Sequence, residues 1–144
     1  MGEDSPRRTL KPRAVLDTNI VISAVLFNGA AAALLRAWRG EQFTFLASKA
    51  MVQEYLRVLA YPKFQLELQE IQEIWESEIL PYLAPVTVKN TPSVIKADPS
   101  DDHFLACAKT GRADYLVSGD KHLLVLNVYD QTKIVPLKAF LELI

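Results

Sequence analysis

Short apolar runs that stop abruptly on polar residues, with helical stretches between them, constrain this chain more than any other feature. The sharpest is Ala14-Val15-Leu16, which ends on Asp17-Thr18-Asn19 before apolar residues resume at Ile20, Val21 and Ile22. An apolar run bounded by polar or turn residues reads as a fully buried strand. Residues 43–47, 86–88, 115–117 and 134–135 read as further strands, and the run at 115–117 again stops at a polar turn, Ser118-Gly119-Asp120-Lys121.

Helical patterns fill the intervals. The first runs through Ile22, Ala24, Val25 and Leu26 and breaks near Asn28-Gly29. The second spans 30–39, with Gly40 as its C-cap and Arg36 and Arg39 suiting its last turn. Ser48 is a good N-cap for a helix over 49–60. A helix over 66–80 is strongly acidic, which reads as a solvated face that repels a phosphate backbone. Another opens at Asp101-Asp102 and ends at Gly111, and a last one covers 139–144. Strands alternating with helices predict an α/β fold: a three-layer α/β/α sandwich around a mainly parallel sheet of about five strands.

A length of 144 residues suits one domain. Residues 1–12, polar and carrying Arg7, Arg8 and Lys11, are expected to form a flexible tail before a single domain over 13–144. Half of the chain is hydrophobic and 23% is charged, a globular composition. The net charge of −1 means that nucleic-acid affinity must come from local patches or bound cations. One cysteine, Cys107, excludes an internal disulfide, and with two histidines the chain lacks a four-ligand zinc set of nitrogen and sulfur. No apolar run reaches membrane-spanning length, and the N-terminus lacks the apolar stretch of a secretory signal. A soluble, cytoplasmic protein is expected.

The candidate chemistry lies in carboxylates. Asp17 and Asp120 each follow a short buried strand, and parallel strands would place both on one rim, where α/β sheets bind ligands. Each also has a structural reading: Asp17 or Thr18 as a helix cap, Asp120 as a turn residue with Gly119. Asp101 and Asp102 at a helix N-terminus are stabilised by the helix dipole whatever else they do, and Asp98 could hold an Asx-turn beside Pro99. Glu54 falls at the border of the apolar face of its helix, where it is either solvated or leaning into a cleft. Several acids on one rim repel each other unless a cation neutralises them, and oxygen-only donors favour Mg²⁺ or Mn²⁺.

In this order and spacing, Leu16-Asp17-Thr18-Asn19, Glu54, the run from Asp98-Pro99-Ser100-Asp101-Asp102 through His103-Phe104-Leu105, and Leu116-Val117-Ser118-Gly119-Asp120-Lys121 resemble PIN domains. The closest flavour is the VapC-like toxin group of toxin–antitoxin systems. The resemblance covers residues 13 to 140 and implies a metal-dependent endoribonuclease that leaves a 3′-hydroxyl and a 5′-phosphate. Its acidic quartet carries over onto Asp17, Glu54, Asp102 and Asp120, as metal ligands and catalytic groups for one or two Mg²⁺ or Mn²⁺ ions. Thr18, Asn19 and Ser118 give polar support, with Asp101 as the alternative third acid. Relatives often carry a further acid two residues after the fourth, where this chain has His122, which puts the second metal in doubt. Lys49, Lys121 and Arg13 are the candidates for contacts to RNA phosphates. An antitoxin and a second copy of the chain are the expected protein partners. The rival reading is a weakly active or inactive PIN-fold binding module. A haloacid-dehalogenase-like phosphatase or a receiver domain ranks below both: the former wants a second acid two residues after Asp17, the latter an acid after the third strand.

Overall fold

The computed structural model describes residues 11–89 and 101–144. Residues 1–10 of the expected tail over 1–12, and with them Arg7 and Arg8, lie outside the described residues, as do Asp98, Pro99 and Ser100. The chain runs β1 (Arg13–Leu16), α1 (Thr18–Leu26), α2 (Ala30–Arg39), β2 (Thr44–Ser48), α3 (Lys49–Leu59), α4 (Leu68–Ile74), β3 (Leu83–Val86), α5 (Asp102–Thr110), β4 (Tyr115–Val117), α6 (Lys121–Leu124), β5 (Val128–Tyr129), β6 (Thr132–Val135) and α7 (Leu137–Leu143). It is a three-layer α/β/α fold around one sheet ordered β3-β2-β1-β4-β6-β5. Every pairing is parallel except β5 with β6.

The winding reverses at β1. From there the chain builds outward through β2 and β3 on one side, and later through β4 and β6 on the other. In open α/β sheets such a reversal leaves a crevice outside the carboxyl ends of the two adjoining strands. Here those strands are β1 and β4, with Leu16 opposite Val117. Ala14, Val15, Leu16, Leu116 and Val117 are fully buried. The next residues on both strands therefore emerge together onto one rim.

The core around this seam is aromatic. Trp38 and Phe45 pack with their rings tilted at 4.9 Å, and Phe43 meets Phe140 edge-on at 5.1 Å. Helix α5 crosses β1, β2 and β4, and its buried Ala106 and Ala108 allow the close approach. Tyr55 is buried, and its hydroxyl donates to the Leu16 carbonyl at 2.6 Å. That bond fixes α3 against the last residue of β1.

The structure departs from the sequence reading at the margins. Among the described residues there are six strands rather than about five, because β5 is two residues long and joins β6 as a short hairpin. β3 lies three residues upstream of the expected 86–88 and includes Pro85 opposite Ala47. Proline is tolerated there because β3 is an edge strand and its missing N–H breaks no ladder. The expected helix 66–80 is shorter: α4 widens into a π-helical segment at Trp75–Ile79 and tightens into a 3₁₀ turn at Leu80–Tyr82. A carbonyl in the wide segment, that of Glu78, accepts from the Trp38 indole at 2.8 Å. Its acids are also not all idle: Glu67 and Glu70 cap the helix reciprocally, and Glu78 pairs with Arg39 at 3.3 Å. Among the described residues, no single helix is long and apolar enough to cross a membrane.

Candidate active site

Asp17 directly follows β1, and its backbone N–H continues the sheet by donating to the Val117 carbonyl at 2.9 Å. It occupies the residue before α1, yet its side chain makes no capping bond to that helix. The carboxylate instead turns across the seam, where Ser118 Oγ donates to Oδ2 at 2.6 Å. Ser118 in turn accepts from the Asp120 backbone N–H at 2.9 Å. One buried hydroxyl thus ties the end of β1 to the loop after β4. Asp120 Oδ1 accepts from the His122 N–H at 2.7 Å, which starts α6. Turn-making is therefore part of what Asp120 does.

Glu54 arrives from α3. Ser48 caps that helix by accepting from the Met51 N–H, and the Tyr55 bond to Leu16 sets its rotation. The neighbouring Glu54 then faces Thr18, whose hydroxyl donates to Oε2. On its other side His103 Nε2 meets Glu54 Oε1 at 2.8 Å, and Arg57 stands 3.7 Å from the same oxygen. His103 belongs to the first turn of α5, so this contact brings the N-terminus of α5 to the rim. Asp101 and Asp102 lie there too, both buried, and Asp101 makes no side-chain capping bond.

The electrostatics differ between the acids. Burial raises the Asp17 carboxyl above its ordinary range, hydrogen bonds from Ser118 and Thr18 pull against this, and the charges of Glu54 and Asp120 push it further up. Burial also raises Glu54, but hydrogen bonds from His103 and Thr18 and the positive charges of His103 and Arg57 outweigh it, leaving Glu54 lowered. Asp17 thus sits in the field of two other carboxylates, a position a cation would relieve. Burial drives Tyr55 well above its usual value, helped by Cys107, Asp17 and Glu54. It also pushes the Cys107 thiol to about 12, against hydrogen bonding to Ser48. Neither is a nucleophile at neutral pH.

Of the residues predicted for the site, Asp17, Thr18, Glu54, Ser118 and Asp120 are joined by these contacts, with Asp101 and Asp102 on α5 beside them. Asn19 is exposed on α1 next to Thr18. Lys49 and Lys121 are exposed at the same rim, at the starts of α3 and α6. Arg13 is not there. It begins β1 whereas Asp17 follows it, so four strand steps of roughly 3.3 Å separate them. Its guanidinium is engaged with the Gly111 carbonyl at 3.0 and 2.9 Å. That corrects its expected role at the site. His103, conversely, is a site residue that sequence reasoning quoted only as part of a motif. Its partner is 49 positions away, and only its place beside Asp101-Asp102 hinted at a role.

The donors gathered here are carboxylates and hydroxyls, which suit a hard divalent ion. Among the described residues, however, no three His, Cys, Asp or Glu side chains stand close enough to close a cage around one. Glu54 in particular is held by Thr18 and His103. An ion would have to compete for it.

No curated protein matches the sequence. Among solved structures, the chain is similar to the crystal structure of FitAcB from Neisseria gonorrhoeae, at 19% identity and a TM-score of 0.58, covering 87% of this chain and 98% of that one. That likeness is one of fold. The family model described as PIN domain matches residues 13–122, which include β1, α3, α5 and the Ser118–Asp120 turn. By that match over most of its length, with every carboxylate of the rim inside it, the chain belongs to the PIN domain family.

Proposed function

We propose that this protein is a metal-dependent endoribonuclease that hydrolyses RNA phosphodiester bonds, acting as the toxin of a toxin–antitoxin pair. One observation carries the reading. Asp17, raised by its burial and further by the charges of Glu54 and Asp120, is held by Ser118 across the switch point of the sheet. Holding like charges together there costs stability, and a divalent cation would offset that cost.

In this reading Asp17 and Asp120 hold Mg²⁺ or Mn²⁺, with Glu54 and Asp102 completing the set directly or through water. Bound there, such an ion supplies the lowered pKa of water and the charge neutralisation that phosphodiester hydrolysis needs. The protein's own groups do the rest. Ser118 fixes the Asp17 carboxylate, and Thr18 and His103 hold Glu54. Glu54 is ionised at neutral pH and is the carboxylate placed to take up a proton, although the contacts from His103 and Thr18 that lower its pKa also make it a weaker base until they yield. Lys49 and Lys121 position phosphates without reading bases. The resemblance to VapC-like toxins supplies the proposed partners: an antitoxin protein and a second copy of the chain.

One observation favours the second reading, a weakly active or inactive PIN-fold binding module. Glu54 is already satisfied by Thr18, His103 and Arg57, so it gains less from an ion than an unpaired acid would. A Mn²⁺ titration of the folded protein, followed by incubation with unstructured and structured RNAs, separates the two. Saturable Mn²⁺ binding with Mn²⁺-dependent cleavage to 5′-phosphate ends supports the nuclease. Folded protein that neither binds Mn²⁺ at millimolar concentration nor cleaves supports the module.

A further inference from the structure

A groove of about 600 Å³ runs away from the carboxylates along α1. Its floor is one helical face: Asn19, Ile22, Ser23, Leu26 and Phe27 recur at the three- and four-residue spacing that puts side chains in line. At 1.5 Å per residue this face reaches roughly 12 Å, from Asn19 two residues past Asp17 to Phe27 at the end of the helix. The opposite wall includes Lys63 and Phe64, from the turn after α3. Phe27 is 53% exposed, although it touches Phe64 with ring centroids 6.3 Å apart. The Lys63 ammonium lies 5.2 Å from the Phe64 centroid, and both residues line the groove. None of the lining residues is acidic, in contrast to the rim beside it.

We infer that this groove is a nucleoside subsite: it takes the unpaired nucleotide flanking the cleaved bond of a single-stranded RNA, with Phe27 stacking its base and Lys63 meeting a phosphate. The inference rests on the proposed ribonuclease reading of the acid site. An exposed aromatic ring with a nearby cation is how single strands are held without sequence readout, since every base has a π-face. The tilt of 54° between Phe27 and Phe64 leaves no slot between them, so the base stacks on the solvent face of Phe27. Asn19, which lines the groove, directly follows Thr18, so the groove begins one residue from the acid rim. The volume suits one nucleotide rather than a duplex. Continuity with the acid rim, the cation and the absence of acids favour RNA over an apolar protein segment as the occupant.

The test uses the full chain and a short, unstructured, dye-labelled RNA. Binding is measured in EDTA so that no cleavage intervenes, and turnover is measured separately with Mn²⁺. Phe27→Ala should weaken binding about ten-fold or more, the usual loss of a base–aromatic stack, and Phe27→Trp should restore it. In Phe27→Trp the added indole fluorescence should be quenched by RNA, a signature that a structural role for residue 27 would not give. Lys63→Ala should lower the salt dependence of binding by about one ion. Val125→Ala, at an exposed apolar position elsewhere, controls for general stickiness.

Wild-type affinity in Phe27→Ala, or an unquenched indole in Phe27→Trp, overturns the subsite. So does loss of self-association in Phe27→Ala with RNA affinity intact, which would make the groove a protein-docking face. If wild type cleaves RNA while Phe27→Ala binds and cleaves normally, the subsite fails and the nuclease reading stands. If wild type binds RNA through Phe27 but never cleaves it, the subsite stands and the nuclease reading fails.

Discussion

The two ends of the β1–β4 seam make an instructive pair. At the end where the strands begin, polar groups are matched. The Arg13 guanidinium donates twice to the Gly111 carbonyl, the Arg13 N–H donates to Asp114 Oδ2 at 2.8 Å, and Asp114 N–H returns to the Arg13 carbonyl at 2.7 Å. Thr132 closes the cluster by donating to the Ala113 carbonyl at 2.8 Å. At the end where the strands finish, carboxylates are set beside carboxylates, and Asp17 is raised by its burial and its neighbours. The same two strands thus carry a rim arranged for stability and a rim that stores repulsion. In α/β sheets ligands collect at the second kind of rim, and the contrast here has that physical basis.

The largest expected effect breaks the contrast at the reactive rim. Asp17→Asn keeps the shape and the Ser118 contact but removes the charge. Mn²⁺-dependent cleavage should fall by about 10³-fold or more, since an ion-supported site owes several kcal/mol to such a ligand. In EDTA at neutral pH the same variant should melt no lower than wild type, and higher if repulsion is the dominant local cost. The sign follows from the raised pKa: a carboxyl harder to ionise when folded destabilises the fold once pH rises above its unfolded value of 3.8. The gain should therefore vanish below that pH. A variant that loses activity by unfolding, or keeps full activity, contradicts the assignment.

The opposite rim predicts the opposite phenotype. Arg13→Ala strips both donors from the Gly111 carbonyl and should cost about 1–3 kcal/mol of stability by denaturant unfolding. Cleavage per folded molecule should be unchanged. A selective loss of activity at unaltered stability would return Arg13 to the site and undo the comparison.

This division was only half legible in the sequence. Both reactive strand ends could be read because buried three-residue runs stop on polar residues, and parallel pairing does the rest. Helix α3 was equally legible, since Ser48 caps it and its apolar face is regular. Arg13 was misread for a geometric reason: nearness in sequence to Asp17 means little across a strand, whose two ends lie on opposite sides of the sheet. His103 was passed over because a contact between α3 and α5 leaves no local pattern. β5 and α6 were missed because two residues and one turn carry no periodicity. β3 slipped because Pro85 reads as punctuation unless the strand is known to be an edge.

A smaller effect sharpens the reactive rim by adding what it lacks. If its acids await a cation, Mn²⁺ at ten times its dissociation constant should stabilise wild type by about 1.4 kcal/mol, by linkage alone. Asp17→Asn should lose most of that increment, and Arg13→Ala should keep it despite its lower baseline. Equal stabilisation of all three proteins would mean that the ion binds elsewhere.

The smallest expected effect concerns Glu54, the acid on the reactive rim that is treated like one on the stable rim. Hydrogen bonds and positive neighbours hold its pKa below 4.5, against its burial. A lowered carboxyl pKa stabilises the fold above the unfolded value and ceases to do so as pH falls through the folded one. Its contribution should therefore be present at neutral pH and fade in acid below pH 4.5. That is the reverse of the trend expected from Asp17. His103→Ala, which removes the strongest of the contacts lowering Glu54, should flatten this acid-side loss in EDTA melts recorded from neutral to acidic pH. If the melts of wild type and His103→Ala instead run parallel across that range, His103 does not hold Glu54 in solution. The reactive rim would then be less well braced than its hydrogen bonds suggest, and Glu54 would be freer to serve an ion.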